Sequence, residues 1–350
     1  MNVESLRIRL STYPALSDLL AANPKALRSL AKVAEDSPNR SESDPLIGMI
    51  YGNEEDQARA KRFNAALEAL RLPLKAQRTL ARYLSAPDRR KAGSTAAELY
   101  VGGLLAGGGA TVEFVPTRND ATPDLCVLFA GAELHIEVAS VNLSDEDAKA
   151  HDERKRVFNS WDVVKPAPEI LRGRASGSVD AAGRGMKMLE SSVSPLGAGS
   201  LGDRIGRLAR KKPSRQLYGK HNSVLVLSFW HVWGVGSEQC SPLVLPEGDL
   251  FTGALFAAAY GRRGDVVYEG CDPDEAGSFR GERSSQSVDG ILQRSGSPCA
   301  LVWLLQKDRP VVFENLDTRR AGLTEDARKL LERAFDLQGD TSSRWRVQRT

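Results

Sequence analysis

The chain has 350 residues, 41% hydrophobic and 27% charged, with a net charge of +3. That length holds more than one domain and a sizeable core, and the composition excludes a disordered or fibrous chain. The near-neutral balance excludes a polycation, so any nucleic-acid contact must come from local clusters of basic residues.

The N-terminal segment MNVESLRIRLSTYP has no uninterrupted apolar core and is not expected to be a signal peptide. No apolar run reaches the length of a membrane span. Cys126, Cys240, Cys271 and Cys299 are widely spaced, with no C-x-x-C pair. They predict a reducing, cytoplasmic setting and argue against a zinc site.

Residues 1–92 are expected to form a helical N-terminal domain. Leu16, Leu19 and Leu20 recur at helical spacing, as do Leu27, Leu30 and Val33. Further helices are predicted over 54–70 and 75–84, with the polar stretch 36–44 as a loop. Nothing in this region carries chemistry, and it is expected to pack or to dock a protein partner.

From Ala92 the texture changes. Ser94 or Thr95 is positioned to cap a helix running through Glu98 and Leu105, which the glycines at 107–109 stop. Three strands are predicted next, over 111–116, 124–130 and 133–141, the last two joined by a tight turn at Gly131. Residues 142–202 are polar and glycine-rich, and are expected as a mobile insertion in a second domain spanning 93–350. A basic helix over 203–219 and an apolar strand over 224–233 follow. Beyond them come a helix at 249–260, strands at 288–293, 300–305 and 310–314, and a closing helix at 324–336 started by Thr324.

The chemistry gathers on the predicted hairpin. Alternation puts Leu134, Ile136 and Val138 on one face of the third strand, and His135, Glu137 and Ala139 on the other. Asp124 enters at the mouth of the same hairpin, opposite that second face. Two carboxylates brought close repel each other unless a cation lies between them. Hard oxygen donors of this kind suit Mg²⁺ or Mn²⁺. The four histidines show no metal-ligand spacing, and His135 reads as a structural hydrogen-bonder or an orienter of a ligand. The glycines at 102–109 lack the surroundings of a nucleotide loop.

The string TAAELYVGGLLAGGGATVEFVP, followed by TPDLCVLFAGAELHIEVAS, resembles the core of the PD-(D/E)XK nuclease superfamily. That core runs from a helix bearing a Glu, through a strand and a strand opening with Pro-Asp, to a strand carrying (D/E)-x-K. A helix and another strand follow. The resemblance covers about residues 92–233. It implies an α/β fold with a central mixed sheet of restriction-endonuclease-like type flanked by helices. It also implies a Mg²⁺- or Mn²⁺-dependent phosphodiesterase acting on DNA, in restriction or defence against foreign DNA, working alone or as a homodimer. Asp124, Glu137 and the backbone carbonyl of Val138 would hold the metal, with Glu98 assisting.

The chain departs from the pattern at Ala139, where the family carries its lysine. Lys212, ahead of Lys211, and Gln216 lie where the following helix can supply a substitute, although Pro213 interrupts that helix. Arg204, Arg207, Lys211 and Arg215 offer a phosphate-tracking face, or else a solvated one. Loss of the lysine leaves a second reading, a catalytically inactive nucleic-acid-binding or assembly module on the same fold.

Overall fold

The computed structural model describes residues 3–36, 45–52, 54–86, 88–115, 122–141, 205, 216–217, 219–229, 236–242, 252–268, 283–294, 296–305, 310–315, 322–337 and 345–347. The protein is α/β, with a mixed open sheet flanked by helices. It divides into two compact units. One comprises residues 1–141, 208–231 and 291–350, the other 142–207 and 232–290.

In the first unit, helices α1 (Val3–Leu10), α2 (Pro14–Ala21), α3 (Pro24–Asp36), α4 (Pro45–Tyr51), α5 (Glu54–Ala69) and α6 (Leu74–Leu84) precede the sheet. Helices α1 and α4 were not foreseen. The described part of residues 1–92 is thus largely helical, and it belongs to the same compact unit as the sheet. Leu16, Leu20, Leu30, Ile47 and Phe63 share one continuous core with Val101, Ile136 and Val226.

Helix α7 (Arg89–Gly107) starts nearly two turns earlier than expected. Its cap is Asp88, whose carboxylate accepts the Arg90 N–H at 3.0 Å, while Thr95 is buried within the helix. The glycine stop is as expected. Gly109 adopts φ +96°, and the N–H groups of Gly109 and Ala110 bond back to the carbonyls of Ala106 and Leu105. That crossed pair satisfies two carbonyls that the helix end would otherwise orphan.

Strands β1 (Thr111–Phe114), β2 (Leu125–Phe129) and β3 (Ala132–Ser140) form an antiparallel meander. Ala130 and Gly131, at φ +48° and +84°, make the two-residue turn whose twist matches that of a hairpin. β4 (Ser223–Ser228) then pairs parallel with β3, and β8 (Ala300–Leu304) parallel with β4. β9 (Val311–Glu314) runs antiparallel to β8, and β10 (Trp345–Val347) closes the sheet beside β9. The sheet order is β1-β2-β3-β4-β8-β9-β10.

The final helix, α9 (Glu325–Ala334), begins as expected at Thr324, whose hydroxyl accepts the Ala327 N–H. Asn222, held at φ +48°, ties three elements together. Its side chain donates to the Glu133 carbonyl and accepts the Thr324 N–H, and its carbonyl accepts the His135 N–H.

The second unit holds helix α8 (Ala254–Tyr260) and a small sheet, β5 (Thr252–Gly253), β6 (Val266–Tyr268) and β7 (Arg283–Ser285). None of these strands was foreseen. The strand expected at 288–293 is instead a bend and a single 3-10 turn at Ile291–Gln293. Gly290 interrupts the segment, its N–H donating to the Gly261 carbonyl at 2.8 Å. The expected insertion at 142–202 lies outside the described residues.

Candidate metal centre

The geometry at the mouth of the hairpin follows from one proline. The β2–β3 register pairs Leu125 with Ile136 and Cys126 with His135. One step further, Asp124 falls opposite Glu137, and Pro123 opposite Val138. The His135 N–H points toward β4, to the Asn222 carbonyl. By alternation, Ile136 and Val138 direct their N–H and C=O groups toward β2.

Pro123 has no N–H to offer the Val138 carbonyl, so the ladder stops there. The Asp124 carboxylate takes over, its Oδ2 accepting the Val138 N–H at 2.9 Å. The Asp124 carbonyl accepts the Val115 N–H and keeps β1 attached. One carboxylate is thereby fixed in orientation beside a peptide carbonyl that the strand cannot pair with residue 123.

Glu137 stands across from this group. Leu134, Ile136 and Val138 are buried in the helix-covered core, as alternation predicts. The opposite face is less open than expected, because Glu137 is only 2% exposed. Its partner on β4 is Leu225, also buried. Glu137 therefore has Leu225 of the apolar β4 on one side and, by register, Asp124 at the opposing position on the other. A buried carboxylate beside a second one is costly unless positive charge or donated protons compensate it. Ala139 follows on the same face, half-buried, opposite Leu227.

Gln216 is drawn to the same place. It is 5% exposed, and its Nε2 donates at 2.9 Å to the carbonyl of Thr122, immediately before Pro123. Its Oε1 is buried and accepts no hydrogen bond from the described residues. Of the residues expected on the helix before β4, Gln216 is the described one, and it ties the helical residues 216–217 to the Pro-Asp turn. Lys211, Lys212, Arg204, Arg207 and Arg215 lie outside the described residues. Glu98 is half-buried on α7, the helix packed over the Leu134–Ile136–Val138 face.

A second constellation was missed in the sequence. Among the described residues, Cys126, Glu133 and His135 each present a ligand atom within 4.8 Å of the other two. The Cys126 thiol donates to Glu133 Oε1 at 3.0 Å and lies 3.7 Å from His135 Nδ1. His135 Nε2 is 3.9 Å from the same carboxylate oxygen. Partial burial, then the hydrogen bond to Glu133, pushes the thiol up to about 11. The thiol in turn holds the Glu133 carboxyl below its usual range. Partial burial and the nearby Lys220 lower His135. A search for C-x-x-C spacing overlooks this group, because a cross-strand pair leaves no fixed spacing in the sequence. The signal was the register of the predicted hairpin, which sets Cys126 against His135.

No family model, curated protein or solved structure matches the chain. Among the described residues, no helix is long and apolar enough to cross a membrane.

Proposed function

We propose that the protein is a metal-dependent nuclease acting on DNA, built on a restriction-endonuclease-like sheet. The observation that carries this reading is the Asp124 carboxylate, locked on the Val138 N–H directly across from the buried Glu137. The order of elements supports it. α7, β1, the Pro-Asp strand β2, the Glu strand β3, helical residues at Gln216–Leu217 and a parallel β4 succeed one another as the resemblance requires.

The donor set fits a hard divalent cation: two carboxylates and a peptide carbonyl, all oxygen, with one carboxylate buried. Mg²⁺ or Mn²⁺ held by Asp124, Glu137 and the Val138 carbonyl would polarise a phosphodiester and lower the pKa of an attacking water. The chain's own residues prepare that site. Pro123 frees the carbonyl, Asp124 is oriented by the Val138 N–H, and Glu137 is kept dry beside Leu225. Gln216 holds the turn through Thr122, and its Oε1 offers an acceptor for a water proton.

Cleavage of plasmid and linear DNA tests the reading, with Mg²⁺, with Mn²⁺ and with chelator, beside Asp124→Asn. Metal-dependent cutting that the variant loses is the expected result. Cutting that survives the substitution overturns the assignment of the site.

Ala139 favours a second reading. A methyl group stands on the Glu137 face where the resemblance places a lysine, and it can neither orient water nor offset phosphate charge. A protein that binds Mn²⁺ and DNA without cutting, and that gains cutting in Ala139→Lys, is an inactive binding module on the same fold.

A further inference from the structure

We propose that Cys126, Glu133 and His135 form a binding site for a thiophilic divalent ion of the zinc class. The site is distinct from the carboxylate pair, and its case stands without the nuclease reading. Three donors of different type (thiol, carboxylate and imidazole) converge on one face of a hairpin.

Each donor is placed by the ladder. Cys126 and His135 are direct cross-strand partners. Glu133 precedes His135 by two residues and so shares its face. The adjoining two-residue turn and the Asn222 bonds to the Glu133 and His135 backbones hold that stretch in register. With one ligand atom from each residue, the three lie within 4.8 Å of one another, the Cys126 sulfur and Glu133 Oε1 at 3.0 Å. Ligands bonded to zinc at roughly 2.0–2.3 Å in a tetrahedron have separations of that order.

Sulfur and imidazole donors select zinc-class ions over Mg²⁺, which prefers all-oxygen sites. Binding replaces the Cys126 thiol proton, which leaves to solvent as the sulfur–metal bond forms. Glu133, now the acceptor of that proton's hydrogen bond, becomes a ligand in the same position. Lys220 is the nearby cation acting on all three groups. Glu133 is exposed, so the fourth coordination position faces solvent and takes a water. The site is offset by two residues along both strands from Asp124 and Glu137, about 7 Å at the rise of a strand. An ion there clips together the two strands that carry the carboxylate pair.

The test is titration of the reduced, chelator-treated full chain with Co²⁺, followed by displacement with Zn²⁺. One equivalent of Co²⁺ should raise a thiolate-to-metal charge-transfer band, with the visible bands of tetrahedral cobalt, and Zn²⁺ should abolish both while excess Mg²⁺ should not. Cys126→Ser should lose the charge-transfer band. Glu133→Gln changes only an exposed side chain, and His135→Ala removes the imidazole. Each should weaken binding at least as much as loss of an outer partner does, roughly 10- to 100-fold. Cys240→Ser, Cys271→Ser and Asp124→Asn should keep the band. An absent band in the wild-type chain overturns the proposal. So does a band that persists in Cys126→Ser, or one lost in Asp124→Asn.

Discussion

Asp124 has two separable jobs, and two substitutions at that position divide them. Asp124→Ala removes the acceptor of the Val138 N–H, a bond of 2.9 Å at a part-buried site. Stranding that donor costs about 1–3 kcal/mol. In a unit of this size each kcal/mol moves the melting temperature by roughly 2–4 °C, so the variant should melt about 2–12 °C lower. Asp124→Asn keeps a carbonyl oxygen for the same N–H and removes only the charge. Relief of like-charge repulsion across the strand pair is worth about 0.2–1 kcal/mol. The Asn variant should therefore match or slightly exceed the wild type in chelator. Adding Mn²⁺ should reverse the order. At a hundredfold excess over its dissociation constant the ion stabilises the wild type by about 2.7 kcal/mol, and both variants lack that gain. Calorimetric melts of the three proteins, with chelator and across a Mn²⁺ series, read all of this. If Asp124→Asn falls as far as Asp124→Ala in chelator, the residue does not act through the Val138 N–H. A wild-type melt indifferent to Mn²⁺ and Mg²⁺ refutes the metal centre.

Three further outcomes follow from other parts of the molecule. A Cβ at Gly103 of α7 would strike the Ala66 carbonyl oxygen and come within 2.7 Å of the Ala66 Cβ on α5; Gly103→Ala should cost about 1–3 kcal/mol by overpacking, read from urea unfolding. Arg328 puts Nε and Nη2 on one oxygen of the buried Glu314, at 2.9 and 2.6 Å; with the arginine side chain about a third exposed, Arg328→Ala should cost about 1–3 kcal/mol, less than a fully buried pair, and Arg328→Lys should recover only part of it. The Cys126 thiol, pushed up to about 11, holds its proton more tightly in the folded chain than in the unfolded one. That contribution to stability is present below the ordinary thiol range and lost as pH rises toward 11. At neutral pH, metal-free Cys126 should alkylate roughly a hundredfold more slowly than in the unfolded chain, and Glu133→Gln should speed it; peptide mapping that finds Cys126 labelled equally fast in both states contradicts the geometry.

The core of the sheet was legible because its signals are local. The glycine stop after Leu105, the turn at Gly131 and the alternation of Leu134, Ile136 and Val138 each act within a few residues, and each appears where expected. The Thr324 cap was legible for the same reason. Asp88 was overlooked in favour of Ser94 and Thr95, since a capping residue is identified by the N–H it reaches and not by its type. The small sheet of β5, β6 and β7 was missed because strands of two or three residues carry no measurable alternation. The burial of Glu137 was also hidden. Alternation says which face a side chain takes, but what covers that face is decided by segments far away in the chain.

The Pro-Asp dipeptide shows how far such a reading reaches. Taken alone it is a turn signal, common in any chain. Its meaning here depends on register, which places Pro123 at the one position where a hydrogen-bonded pair with Val138 would otherwise form. A residue with an N–H at 123 would continue the ladder, occupy the Val138 carbonyl and leave Asp124 an ordinary edge acid. Proline forbids that, and the Asp124 carboxylate repairs half of the lost pair by taking the Val138 N–H. The half it cannot repair is the carbonyl, which stays at the register position of Asp124 and the buried Glu137. Three oxygens of negative character gathered at a strand end by a missing N–H favour a cation there. Replacing Pro123 with Ala restores that N–H, so it should weaken Mn²⁺ binding while leaving both carboxylates in place. Unchanged Mn²⁺ affinity in Pro123→Ala would mean that the Val138 carbonyl is not a ligand.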